Sequence, residues 1–338
     1  MGWWRISADT LAGSRFVLSP LAETFASLRL LHAARAAHPG ERAWLDAHLP
    51  AYRARLTADP VTALLVPSAL GTVWIADFLT VTPRGDETFE EEVERVRGVP
   101  PATARAHLRV SLGGPLPAPL DRDDLGERAA DLLTHVWEDA VRPYWSRRRR
   151  ILQADVVART ARVGRGGWAA VLDALRPGTR WLGDSRLQVN AHELPPREIS
   201  GAELLFVPVT PQRVGWVSWE GTRRYALVYP CAGALAGEAG REPVPAGLGA
   251  LLGTARARVL MLLGSPMSTS HLVAVTGQGL GSVGRHLRVL LDAGLVERCG
   301  RAGRSVLYVR TAAGEVLAEA GRVGPVGDGS PRGARVGS

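Results

Sequence analysis

Three observations predict an α+β chain in two parts. Up to Pro177 the apolar residues recur at helical spacing. From there to Tyr229 they fall in short alternating or β-branched runs, and from Leu248 helical spacing returns. All ten Trp lie before that return. The expected architecture is a mostly helical N-terminal domain with an antiparallel β-meander at 1–232. A Gly/Ala/Pro-rich linker at 233–247, a C-terminal winged helix-turn-helix at 248–320 and a disordered tail at 321–338 follow.

Taken in order, Ser19 caps and Pro20 opens a helix expected to reach Ala37. Further helices fit Arg42–Leu56, Pro60–Leu79, Thr88–Arg97 and Ala102–Ser111, before the Pro-rich loop GGPLPAPLD. A long helical stretch, Leu125–Val163, is expected to kink at Pro143, and a short helix fits Trp168–Leu175. The runs Arg180–Val189, Glu203–Val209, Val214–Trp219 and Arg224–Tyr229 supply the meander. The most apolar stretch, Val61–Val81, contains Pro67, Gly71 and Asp77 and reads as buried helix rather than a membrane span. Arg147–Arg150 reads as a solvated helix face beside Asp139 and Asp155.

The formal charge is +8, with no Lys at all. Residues 246–320 hold eight Arg against four acidic residues, so half of the excess sits in this short segment. Arg forks suit phosphate and guanine edges. Two cysteines, Cys231 and Cys299, are too few for a disulfide framework or a thiolate-rich metal site. The start MGWWRISADT lacks the charged-then-apolar pattern of a signal peptide, so a cytoplasmic location is expected.

Within the last part a helix fits Leu248–Leu263, and Ser268 or Thr269 caps a second one through Val275. After a turn at Gly277 and Gly279, a third helix runs from Gly281 to Ala293, and Gly294 stops it. Val283, Leu287, Leu290 and Leu291 share one side of it; Ser282, Arg285, Arg288 and Asp292 share the other, with His286 at the boundary. Such a division suits a helix that enters the major groove. Leu295–Cys299 and Ser305–Arg310 can pair around the tip GRAGR as a wing, and Thr311 caps a last helix at Ala312–Ala320.

The stretch SVGRHLRVLLDAGLVERCGRAGRSVLYVRT resembles the recognition helix and wing of arsenical-resistance-repressor (ArsR) type regulators. Ser282, Val283, Arg285, His286, Leu287, Leu290, Ala293, Gly294, Leu295 and Val296 carry the resemblance, which covers about 75 residues. It implies a transcriptional regulator, a homodimeric repressor on double-stranded DNA, with a large N-terminal extension of the kind found on actinobacterial members. Dimerisation would use the helices that flank the winged fold. Ser282, Arg285, His286 and Arg288 would meet bases or phosphate, and Arg301, Arg304 and Ser305 the backbone from the wing. Gly284 replaces the family's Ser, and the metal sensors' Cys pair is missing, so no metal or cofactor is expected. An unidentified small-molecule effector could sit in the N-terminal domain, where the Trp are.

Two alternatives remain at this point. The winged helix could be a protein-interaction module. Gly279, Gly281 and Gly284 also satisfy G-x-G-x-x-G, with Glu297 at the distance of a ribose-binding acid, which would make a dinucleotide-binding enzyme. Only about 40 residues follow Glu297, too few to complete a doubly wound sheet.

Overall fold

The computed structural model describes residues 2–37, 39–71, 74–173, 175–190, 195–211, 215–231, 244–264, 267–276, 278–302 and 305–322. The chain forms two compact units, residues 1–240 and 241–338.

In the first unit a four-stranded sheet separates two cores. Its order is Arg15–Phe16, Glu203–Val209, Arg224–Pro230, Trp216–Glu220. Because side chains alternate along a strand, Leu205, Val207, Ala226 and Val228 enter a helical core with Phe25, Leu28 and Leu133. Leu204, Phe206, Tyr225, Leu227 and Tyr229 enter a second core with Ile6, Val171 and Leu187.

This arrangement corrects the expected antiparallel meander. Glu203–Val209 and Arg224–Pro230 pair in parallel, and Trp216–Glu220 lies antiparallel on the outer side of Arg224–Pro230. The physical reason is coverage. Strands buried on both faces are near-continuous apolar runs, and the two central strands are such runs. Trp216–Glu220 is only partly buried and takes the edge.

A second sheet has the order Arg180–Gly183, Arg186–Asn190, Gly2–Arg5, Arg197–Glu198. The sequence pattern suggests one run at 180–189. It is a hairpin, turned by Asp184 and Ser185 at φ 47° and 60°, the two positive values that a type I′ turn needs.

The helix Pro20–Ala33 ends before Ala37, at Ala34 in the left-handed region. The Ser19 hydroxyl accepts from the Ala22 N–H (2.9 Å) and donates to Glu92 (2.6 Å), whose other oxygen takes the Leu21 N–H (2.8 Å). The helix Pro60–Ala69 stops well short of Leu79. At Gly71 a Cβ would lie 2.2 Å from the Ser111 carbonyl oxygen, so the backbones meet where a side chain has no room, and the chain turns away. The apolar stretch 61–81 is therefore divided between this helix and a short 3-10 turn at Asp77–Leu79.

Leu125–Val136 runs into a π turn at Trp137–Val141 and a 3-10 turn at Arg142–Tyr144, which absorb Pro143, then continues as Trp145–Leu172. At Gly167 the backbone leaves the helical region, φ 69° and ψ 178°, so the turns from Trp168 to Leu172 form a separate short helix, as the spacing predicts.

Arg148 corrects the reading of the four-Arg run. It is fully buried; its Nη1 donates to Glu23 (2.6 Å) and Ser27 (2.8 Å), and its guanidinium lies 5.2 Å from the Trp44 ring centre. Asp155 pairs instead with Arg159 (2.8 Å) and accepts from the Tyr229 hydroxyl (2.9 Å). Only Arg149 and Arg150 are exposed.

The second unit contains helices Ala246–Leu252, Thr254–Leu262, Thr269–Thr276, Leu280–Asp292 and Ala312–Arg322. The single helix expected at 248–263 is broken at Gly253, φ 79°. A short strand, Met267–Ser268, was not foreseen; it pairs with Leu307 and Tyr308 and extends the wing to three strands. Leu248, Ala257, Leu260, Leu272, Val283, Leu287 and Leu290 form the core. Most of the expected linker and tail lies outside the described residues. Among those described, no helix is long and apolar enough to cross a membrane.

Candidate nucleic-acid interface

The helix Thr269–Thr276 is followed by Leu280–Asp292. The Thr276 hydroxyl donates to the Leu272 carbonyl (2.6 Å) and accepts from the Gln278 N–H (3.3 Å). The Gly279 carbonyl accepts from the N–H groups of Ser282 (2.9 Å) and Val283 (3.1 Å). At the far end Gly294 takes φ 67°, with Leu295 N–H donating to Leu290 and Gly294 N–H to Leu291, the bond pattern of a Schellman stop. Thr311 caps the last helix by accepting from the Gly314 N–H (3.2 Å), and its hydroxyl donates to the Gly294 carbonyl (2.7 Å).

The helix Leu280–Asp292 buries Val283, Leu287 and Leu290 and exposes Arg285, Arg288, Val289 and Asp292. Truncating one such core Leu to Ala costs about 2–5 kcal/mol, so the apolar side fixes which way the arginines face. Among the described residues neither Arg285 nor Arg288 has an ion-pair partner. Both guanidiniums keep their donors for a ligand.

Ser282 and His286 are half-buried and share a hydrogen bond of 3.2 Å across one helical turn. Burial, then the charges of Arg256 and Arg285, push the His286 imidazole below its ordinary value, which leaves it neutral at pH 7. His286 therefore holds the Ser282 hydroxyl as a neutral partner.

An open groove of about 650 Å3 runs between this helix and the wing, lined by Gly284, Leu287, Arg288, Arg298 and Tyr308 among others. Val296–Ala302 pairs antiparallel with Ser305–Arg310, with a register shift between Arg298 and Gly300. Arg301 stands opposite Val306, and Ser305 opposite Ala302, at the end of the hairpin. Arg304 lies outside the described residues. Arg298 is a residue that the sequence reading passed over: it is exposed and shares the groove with Arg288. Its signal was its place on the first wing strand, one residue before Cys299.

The glycines of G-x-G-x-x-G lie at the start of and inside Leu280–Asp292, and the preceding apolar run is the helix Thr269–Thr276 rather than a strand. Glu297 is on the wing. The strand-turn-helix frame of a dinucleotide site is absent from this segment. Cys231 lies in the first unit and Cys299 in the second. Among the described residues no three His, Cys, Asp or Glu side chains converge as a metal site would require.

Searches of the curated proteins and of the solved structures found no match. A comparison with protein families did find one, over residues 255–298. From within the helix Thr254–Leu262, through Leu280–Asp292, to the first wing strand, this stretch matches the family described as bacterial regulatory protein, arsR family, a family of DNA-binding transcription regulators.

Proposed function

We propose that the protein is a homodimeric transcriptional repressor that reads a pseudo-palindromic operator. The observation that carries this reading is the pair Arg285 and Arg288, exposed and without an ion-pair partner among the described residues, on the polar side of a helix set in an arsR-family frame. That helix enters the major groove. Arg285 and Arg288 meet base edges or phosphate, Ser282 is held ready by His286, and the wing follows the backbone through Arg298, Arg301, Arg304 and Ser305.

Dimerisation joins the helices Ala246–Leu252 and Ala312–Arg322 of two copies. These helices pack on each other within the unit, yet leave Leu251 68% and Val316 67% exposed. A second copy would cover both. Two recognition helices then lie one turn of DNA apart, about 34 Å. Such a regulator works in the bacterial cytoplasm, where the DNA is.

The test is a gel-shift titration of the full chain against its own upstream DNA, with scrambled competitor, at several salt concentrations. A specific complex that weakens with salt and is lost in Arg285→Ala supports the reading. Absence of binding to any DNA at low salt overturns it and moves the winged helix to a protein-interaction role.

A further inference from the structure

Within the first unit a cavity of about 180 Å3 is lined by Arg29, Trp74, Ile75, Asp77, Arg176 and Trp216, among others. Its walls combine two kinds of surface. Trp74, Ile75, Trp216 and Val217 are apolar, and the Trp216 ring is held edge-on to Phe25 at 5.1 Å. Arg29 and Arg176 are cationic, and neither forms an ion pair with a described residue.

Both guanidiniums have lost much of their water. Arg176 donates its Nε to the Thr179 hydroxyl (3.2 Å) and one Nη to the Val189 carbonyl. Arg29 makes one long contact, from Nη1 to the Gly215 carbonyl (3.4 Å). A guanidinium carries five N–H donors, so most are unspent. Gly215 is what brings the two together: a Cβ there would stand 3.0 Å from Arg176 Nη1 and 2.9 Å from the Val228 carbonyl oxygen. Burial lowers both arginines, Arg176 to about 10, with the charge of Arg29 as the second cause. The acid in the lining, Asp77, forms no ion pair with either arginine, and burial pushes its carboxyl up against the opposing charges of His107 and Arg197. Arg197 itself lies 3.9 Å from the centre of the Trp219 ring.

We infer that this cavity binds a small organic carboxylate with an apolar body. Two partly desolvated guanidiniums without a counter-ion favour a planar anion that accepts two parallel N–H bonds. The Trp and aliphatic walls favour a body rather than a bare inorganic ion. A dry cavity of roughly 150 Å3 takes a benzene ring, so the space suits a carboxylate of about benzoate size. The reading of the second unit plays no part in this, and the site is assayed without DNA; either conclusion can fail alone.

The test uses the full chain and three probes at constant ionic strength: benzoate, its neutral counterpart benzamide, and inorganic phosphate. Binding is followed by calorimetry and by tryptophan fluorescence, since Trp74 and Trp216 line the site. The expected result is saturable benzoate binding, with benzamide and phosphate each weaker by roughly ten-fold or more. Arg29→Met should weaken benzoate by a similar factor while the melting temperature of the unliganded protein holds. Benzoate should also raise the melting temperature of the wild-type protein. Absence of saturation by benzoate overturns the inference, as does benzamide binding equally well. Phosphate binding as tightly as benzoate overturns the choice of an organic ligand. If Arg29→Met does not fold, the benzoate–benzamide contrast on the wild-type chain decides.

Discussion

The two units use the same cation for opposite ends. In the first, Arg148 and Arg159 are buried, face Glu23 and Asp155, and hold helices against a sheet. In the second, Arg285 and Arg288 are exposed and form no ion pair with a described residue. A buried, hydrogen-bonded guanidinium belongs to the fold, because removing it strands its partner in a low-dielectric interior. An exposed, unpaired one adds little to stability and is free for a ligand. The cavity arginines Arg29 and Arg176 stand between these cases: they are half-buried, where the first pair is buried, yet unpaired like the second.

The sharpest way to break this comparison is Arg148→Met. It should cost about 3–5 kcal/mol in urea unfolding of the first unit, followed by tryptophan fluorescence, because Glu23 loses its counter-ion. A double variant with Glu23→Gln should recover part of that loss. A cost below about 1 kcal/mol would place Arg148 with the surface arginines.

Glu92 comes next. Burial pushes its carboxyl up to about 7 from an ordinary 4.5, against the pull of Ser19 and the Leu21 N–H. The folded state thus holds this proton more tightly than the unfolded one. Below about 4.5 both states are protonated and nothing is lost. As pH rises from 4.5 to 7 the folded state gives up its advantage, and above 7 the full cost of the buried charge is present. Stability should therefore fall over that window by a few kcal/mol, and Glu92→Gln should flatten this part of the pH profile in thermal melts.

Arg285→Ala should weaken operator binding by about 1–3 kcal/mol and leave unfolding of either unit unchanged. A large stability loss would mean that this arginine also serves the fold. The smallest effect concerns Gly284, where a Cβ would meet nothing within 4 Å and φ is helical. Gly284→Ala should stabilise the second unit by about 0.5–1 kcal/mol in a thermal melt. Gly284→Ser should stabilise it less, but restores the hydroxyl found in arsR-type regulators and should tighten DNA binding. Gly253→Ala, at φ 79°, should instead destabilise.

The second unit was largely legible because its signals are local. The apolar side of Leu280–Asp292, the Gly294 stop and the Thr311 cap each involve residues within a few turns of one another. What escaped there was the Gly253 break and the strand Met267–Ser268, too short to show a period. In the first unit the cap at Ser19 was also readable in place, since it is set by the residues that follow it. The parallel pairing of Glu203–Val209 with Arg224–Pro230 was not, because their partners are chosen across more than a dozen residues by which strand can be covered on both faces.

Taken alone, the sequence determined that most of these helices exist, the cap at Ser19 and the polar side of Leu280–Asp292, all of which follow from spacing along the chain. Only the tertiary structure decided that Arg148 is a core residue and that Arg29 and Arg176 meet at Gly215. An arginine carries no mark of its own burial. Whether it faces an acid, a cavity or water depends on residues more than a hundred positions away, such as Glu23 for Arg148, and packing alone brings those together.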